Sequence, residues 1–298
     1  MRSLEEHLEG YQRDGYTVFR NTLTAERVKD LRAMLDPEFE RRHAEHRDRP
    51  RAVIYNVLGH ETLAPVLADH ILNPALLDFA EAVMGPYVQL DSLAIAGFPS
   101  VAAENKGKVG GWHRDAFSLT EQWMNYPIAY EREPRPYTPP MACNCLTYLQ
   151  AMTVDSGPLR VIPGSHLDYT DIAKAAHHDP HPKERLISLE AGDMVYTHCE
   201  LLHSGTLNTW GEIRYFISVY FSRIGLPHRD SFETPAIEQI VADAREHNDR
   251  RVLRLFGINE GFHQRQQAAW QTMIDDDRRV LERFPAAAIE LFQSKPSA

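Results

Sequence analysis

The chain has 298 residues, 43% of them hydrophobic and 25% charged, with a formal net charge of -10. That length and balance suit one large or two small globular domains with a buried core. The negative charge argues against a general nucleic-acid or anionic-membrane surface. No apolar run is long enough to cross a bilayer, and Met1-Arg2-Ser3-Leu4-Glu5-Glu6 lacks the apolar core of a signal peptide, so a cytoplasmic protein is expected. Cys143, Cys145 and Cys199 are an odd number of cysteines in so long a chain, and they predict buried free thiols rather than a disulfide framework.

In chain order, Ser3 and Glu6 form a capping-box pair and Asp14-Gly15 a stop, which predicts a helix between them. Tyr16-Thr17-Val18-Phe19 reads as a short strand. Thr24 is placed to cap a second helix, with Val28, Leu31, Met34 and Leu35 on one face, and Pro37 is expected to disturb it. Two helical pieces follow between residues 61 and 84, divided at Asn73-Pro74 and stopped by Gly85-Pro86. Residues 88–98 read as extended. A turn over 105–111, with Lys106 and Lys108, leads into a strand carrying Gly110-Gly111-Trp112-His113-Arg114-Asp115.

Residues 120–140 are rich in aromatics and prolines. A loop of that length, leaving directly from the strand that carries His113 and Asp115, favours a lid in which Trp123 and Tyr126 would face the substrate over the alternative that these aromatics only pack the loop down. Further strands are predicted at 143–152, 159–162, 185–189, 194–197 and 214–221, and helices return at Thr234-Pro235, from about 259 and near 286. Short strands between helices at both ends predict a mainly β sandwich or jelly roll in one domain, 1–298. Its parts are N-terminal helices (1–85), a β core (86–225) and C-terminal helices (226–298). The sequence leaves a homodimer contact through those last helices undecided.

His113 and Asp115 are two apart, so on an extended strand they point to the same side and both can grip one metal ion. His203, after a strand-like run, offers the third ligand of a facial 2-His-1-carboxylate set of the kind that holds non-haem Fe(II). His-Arg-Asp also opens the kinase catalytic loop, but Thr120 stands where that loop needs Asn. A chance pairing of histidine and aspartate stays open on spacing alone. His177, His178 and His181 lie in a proline-bearing loop without strand-borne spacing, and His198 is the reserve ligand.

Four pieces together resemble the phytanoyl-CoA dioxygenase family of Fe(II)- and 2-oxoglutarate-dependent oxygenases. They are Gly15-Tyr16-Thr17-Val18-Phe19, Trp112-His113-Arg114-Asp115, the run from Asp155 to His166 that contains Pro163-Gly164-Ser165-His166, and Ala191-Gly192-Asp193 leading to His203, Asn208 and Arg214. The resemblance implies a double-stranded β-helix core of cupin-like jelly-roll type. It also implies iron ligands His113, Asp115 and His203, with Arg214 on the distal carboxylate of 2-oxoglutarate. A guanidinium fork suits that carboxylate. Asn144, Thr147 and Thr206 are candidate helpers at the cosubstrate. Related halogenases lack the carboxylate that Asp115 keeps, so the expected outcome is O2-dependent hydroxylation or another oxidation of a small molecule, secondary-metabolite or lipid-like, with release of succinate and CO2. Two rivals remain: a cupin-like metal enzyme that does not use 2-oxoglutarate, against which Arg214 speaks, and an inactive binding protein on the same scaffold.

Overall fold

The computed structural model describes residues 2–46, 50–115, 137, 139–168, 172–224 and 226–258. Trp123 and Tyr126, and the helices expected beyond 259, lie outside the described residues. The chain separates into two compact units, one formed by 1–9, 56–93 and 220–298, the other by 10–55 and 94–219. The second holds every remaining candidate site residue.

Helix α1 (Leu4–Asp14) and strand β1 (Tyr16–Phe19) stand where the capping and alternation signals put them. Ser3 and Glu6 exchange both capping bonds. Helix α2 (Ala25–Glu45) starts at the Thr24 cap and continues past Pro37, the residue expected to disturb it. A proline costs a helix interior one backbone bond and a steric clash. Here the following turns are anchored by fully buried Phe39 and by ion pairs from Arg41 to Glu38 and Glu45 and from Arg42 to Glu38.

The larger sheet of six strands is ordered β1-β7-β4-β9-β3-β2, with β2 Ala52–Ile54, β3 Val88–Phe98, β4 Ala142–Tyr148, β7 Met194–His198 and β9 Arg214–Arg223. The smaller is ordered β6-β5-β8, with β5 Leu159–Val161, β6 Arg185–Ile187 and β8 His203–Gly205. From β4 onward the chain passes from the large sheet to the small one and back twice, which is the jelly-roll arrangement. Side chains of both sheets make one core: Leu146, Tyr148 and Val195 from the larger meet Leu159, Val161 and Ile187 from the smaller. Each such burial contributes roughly 1.5–3 kcal/mol. The opposite face of β4 carries Cys143 and Cys145, both buried and free, as is Cys199.

In the other unit, α3 (Ala64–Ile71), α4 (Pro74–Met84), α6 (Pro235–Glu246) and α7 (Arg250–Leu255) supply the packing, with α5 (Ser165–Asp168) belonging to the sheet unit. Arg251 of α7 bonds Asp78 and Glu81 of α4 at 2.6 and 2.9 Å. No described helix is long and apolar enough to cross a membrane.

His70 on α3 is 4% exposed, and burial pushes its pKa down to about 4 from the ordinary 6.5. The unfolded chain therefore takes up this proton first. Its contribution is complete above pH 6.5 and lost as pH falls towards 4, about 3 kcal/mol in all. Urea midpoints at pH 7 and pH 5 should differ markedly in the parent protein, and the difference should shrink in His70→Gln. An equal acid loss in both would remove His70 as its cause.

Candidate functional site

His113 sits on an extended segment that runs alongside β8 and meets it only at isolated bridges, Val109 with Thr206 and His113 with His203. This segment is therefore less regular than the full strand expected, but the period-two geometry holds. His113 and His203 exchange both backbone hydrogen bonds at 2.9 Å, which brings their rings to 4.3 Å between centroids. Asp115 is pinned by its backbone N–H to the Cys199 carbonyl at 3.0 Å. Just before the first ligand position, Trp112 is buried with Val109, Ile162 and Leu202, and its indole N–H donates to the Asp179 carbonyl. Arg114 donates to the carbonyls of Ser165 and Glu200. Arg114, which separates His113 from Asp115, and Trp112, which precedes them, thus hold the segment in place from its other side.

Candidate ligand atoms of His113, Asp115 and His203 all lie within 4.8 Å of one another, and no other such group occurs among the described residues. The two imidazoles share a tautomer. Nδ1 of His113 faces the Gly111 carbonyl at 3.0 Å and Nδ1 of His203 faces the Leu201 carbonyl at 2.9 Å. A carbonyl can only accept, so each Nδ1 carries the proton and each Nε2 keeps its lone pair. The neighbouring His203, and next to it burial, push the His113 pKa down to about 4, so this imidazole is neutral at ordinary pH, the form that ligates. Nε2 of His203 is 3.7 Å from Oδ1 of Asp115, while Oδ2 of Asp115 is buried without a hydrogen-bond partner. An ionised carboxylate left so is costly. Two free imidazole lone pairs converging with an orphaned carboxylate oxygen fit a divalent cation of the Fe(II) kind.

Arg214 opens β9 and is 4% exposed. Its guanidinium donates to the carbonyls of Gly157 and Thr206, the latter at 2.6 Å, and lies 4.4 Å from the centre of the Phe98 ring. Nε is buried without a partner. Burial pushes its pKa down to about 10, which leaves it charged at neutral pH and in want of an anion. On the same interior face, Ser218 donates to the Asn144 side chain at 3.0 Å. The pleat sorts the helpers. Asn144 shares its face with Leu146 and Tyr148, but Thr147 is an odd number of residues away and faces the opposite side with Cys143 and Cys145. Thr206 supports Arg214 through its carbonyl, while its hydroxyl accepts from buried Arg160 at 2.8 Å.

His198 packs away from the triad's ligand atoms, 4.9 Å from the His166 ring and 5.9 Å from Tyr11. His177 is engaged through its carbonyl with the Trp112 N–H, and His181 lies 6.3 Å from the Trp112 ring.

Sequence reasoning missed Gly157. Its φ is +80°, and a Cβ there would collide with the Thr206 carbonyl and the Arg214 guanidinium. The Ser156-Gly157-Pro158 turn was visible, but its bearing on Arg214, 57 residues away, was not. Gly157→Ala should cost roughly 1–3 kcal/mol of stability from backbone strain and displace the arginine, weakening 2-oxoglutarate binding with it. Thermal melting and cosubstrate titration of this variant check both effects. An unchanged titration midpoint would show that Arg214 does not depend on this turn.

The profile of the phytanoyl-CoA dioxygenase (PhyH) family matches residues 11–215. Ectoine dioxygenase of Bordetella bronchiseptica is 24% identical over 232 residues, 68% of this chain and 70% of its own. L-proline trans-4-hydroxylase of Streptomyces griseoviridis is 24% identical over 243 residues, 72% and 84%. Among solved structures, HygX from Streptomyces hygroscopicus, with nickel, 2-oxoglutarate and hygromycin B bound, superposes with a TM-score of 0.55 at 15% identity, covering 75% of this chain and 88% of that one.

Proposed function

The chain belongs to the phytanoyl-CoA dioxygenase family and is an Fe(II)- and 2-oxoglutarate-dependent dioxygenase, and we propose that its iron is held by His113, Asp115 and His203 and its cosubstrate by Arg214. The observation that carries this assignment is the convergence of three ligand atoms within 4.8 Å, two of them lone pairs freed by backbone-fixed tautomers. Bound there, Fe(II) supplies the centre at which 2-oxoglutarate and O2 meet, so that one oxygen atom enters the substrate while the other leaves in succinate alongside CO2.

The chain's own residues do the positioning. Backbone carbonyls of Gly111 and Leu201 fix both imidazoles, and Trp112 and Arg114, on either side of His113, hold the segment that carries His113 and Asp115. Arg214, oriented by the Gly157 and Thr206 carbonyls, keeps donors for the distal carboxylate, with Asn144 on the same interior face. Thr147, on the far side of the strand, is assigned only an indirect part. Trp123 and Tyr126 complete the proposal as lid residues of the loop that follows Asp115.

The substrate is proposed to be a small organic molecule, secondary-metabolite or lipid-like, hydroxylated within a single oxygenase domain. Relatives named for ectoine and proline support the small size. Buried free thiols at Cys143, Cys145 and Cys199 support a reducing, cytoplasmic setting. A screen of such molecules for succinate release, with Fe(II), ascorbate and 2-oxoglutarate, tests the reading. Substrate-dependent succinate is expected, and an added hydroxyl in the product would fix the outcome as hydroxylation.

A further inference from the structure

A cavity of about 360 Å³ is lined by Arg41, Arg42, His43, Arg51, Val53 and Tyr55, among others. Its cations are not equivalent. Arg41 is committed to Glu38 and Glu45, and Arg42 to Glu38 and the Val53 carbonyl. Burial lowers the His43 pKa, so this ring adds no charge at neutral pH. Arg51 is exposed and has no carboxylate within ion-pair reach among the described residues. Among the described residues, three arginines against Glu38 and Glu45 leave one positive charge over, and Arg51 carries it.

That charge lies close to Arg214 of the site described above. The register of β2 on β3 pairs Ala52 with Gly97, which sets Arg51 opposite Phe98, and its guanidinium lies 5.9 Å from the centre of the Phe98 ring. Arg214 lies 4.4 Å from the centre of the same ring. The two guanidiniums are therefore no farther apart than those two distances combined. An arginine with no carboxylate partner among the described residues, on the rim of a cavity and this near Arg214, is placed to receive an anion that comes in with the substrate.

Given the oxygenase reading of the His113, Asp115 and His203 site, we infer that the substrate carries a carboxylate and that Arg51 is its receptor. A planar guanidinium binds a carboxylate through two parallel hydrogen bonds. One surplus positive charge matches a monoanion and falls short of a coenzyme A moiety with its several phosphate charges. Tyr55, 66% exposed on the same cavity wall, offers an aromatic face to the rest of the molecule.

The test uses the full chain under argon with Fe(II) and saturating 2-oxoglutarate, which occupies Arg214. Benzoate and its neutral isostere benzamide are the probes, followed by ligand-observed NMR titration. Benzoate should bind about tenfold tighter than benzamide or better, the ratio expected from one charge-assisted hydrogen-bonded pair. Arg51→Ala should erase the preference and Arg51→Lys retain part of it. Equal binding of the two probes, no binding of benzoate, or an undiminished preference in Arg51→Ala overturns the proposal. The charge-transfer band of the Fe(II)-2-oxoglutarate complex is read in the same samples. If the parent protein lacks it, the oxygenase site itself is misassigned; if the band is present and the preference is absent, only the substrate class is wrong.

Discussion

Replacing His113, Asp115 or His203 by alanine, one at a time, is expected to lower turnover by more than about a hundredfold while the protein still folds. Loss of a partner that merely orients a ligand already costs 10- to 100-fold in metal affinity or activity, and loss of the ligand itself should exceed that. The folded structure without metal gives a second sign to check. Oδ2 of Asp115 is buried without a hydrogen-bond partner, so Asp115→Ala removes an uncompensated carboxylate and should leave the metal-free melting temperature equal or higher. Iron content after reconstitution, turnover and melting of the three variants decide the matter. Near-parental turnover in any one of them would remove that residue from the ligand set. A requirement for His198 instead would move the metal to the His166 side of the fold, which the 4.9 Å approach of those two rings makes the natural rival location.

The next largest effect is expected at Arg214. Arg214→Lys keeps the charge but loses the planar fork, and Arg214→Ala loses both in a pocket where the residue is 4% exposed. A charge-assisted hydrogen bond contributes roughly 1.5–3 kcal/mol, so affinity for 2-oxoglutarate should fall about tenfold or more in the lysine variant and further in the alanine variant. Iron content should barely change, because Arg214 is not among the three clustered ligand residues. Arg214→Ala also frees the Gly157 and Thr206 carbonyls that the guanidinium now satisfies, so a loss of stability is expected beside the loss of affinity. Separating the two requires a titration at a temperature where the variant is folded. A midpoint equal to the parent's would take Arg214 out of cosubstrate binding.

Much of the architecture was legible because its signals are local. The Thr24 cap, the Asn73-Pro74 break and the long apolar runs of β3 and β9 each announce themselves within a few residues. The helix through Pro37 was not legible, since what holds it is the tertiary burial of Phe39 and the ion pairs around Glu38. Strands β2 and β8 are three residues each, too short for a period to register, yet β8 bears His203.

That His113 and Asp115 share a side could be read from spacing, because period two survives even where the ladder is reduced to bridges. His203 came instead from its place after a strand-like run and from the family resemblance. Helpers were harder. Asn144 and Thr147 look equivalent as polar residues on one strand, and only the known inward face of Leu146 and Tyr148 separates them. The cradle of Arg214 at Gly157 and the approach of Arg51 to Phe98 depend on contacts between residues far apart in sequence, which no local pattern encodes.

The central claim, one iron and one 2-oxoglutarate held by the residues named, is most directly tested without any substrate. Purified protein is loaded with Fe(II) under argon and titrated with 2-oxoglutarate while the visible spectrum is followed. A metal-to-ligand charge-transfer band should grow to a single saturation at one equivalent. It should shift to higher 2-oxoglutarate concentration in Arg214→Lys and be absent in His203→Ala. A parent protein that binds Fe(II) but gives no band would contradict the account and favour a cupin-like metal enzyme that works without 2-oxoglutarate.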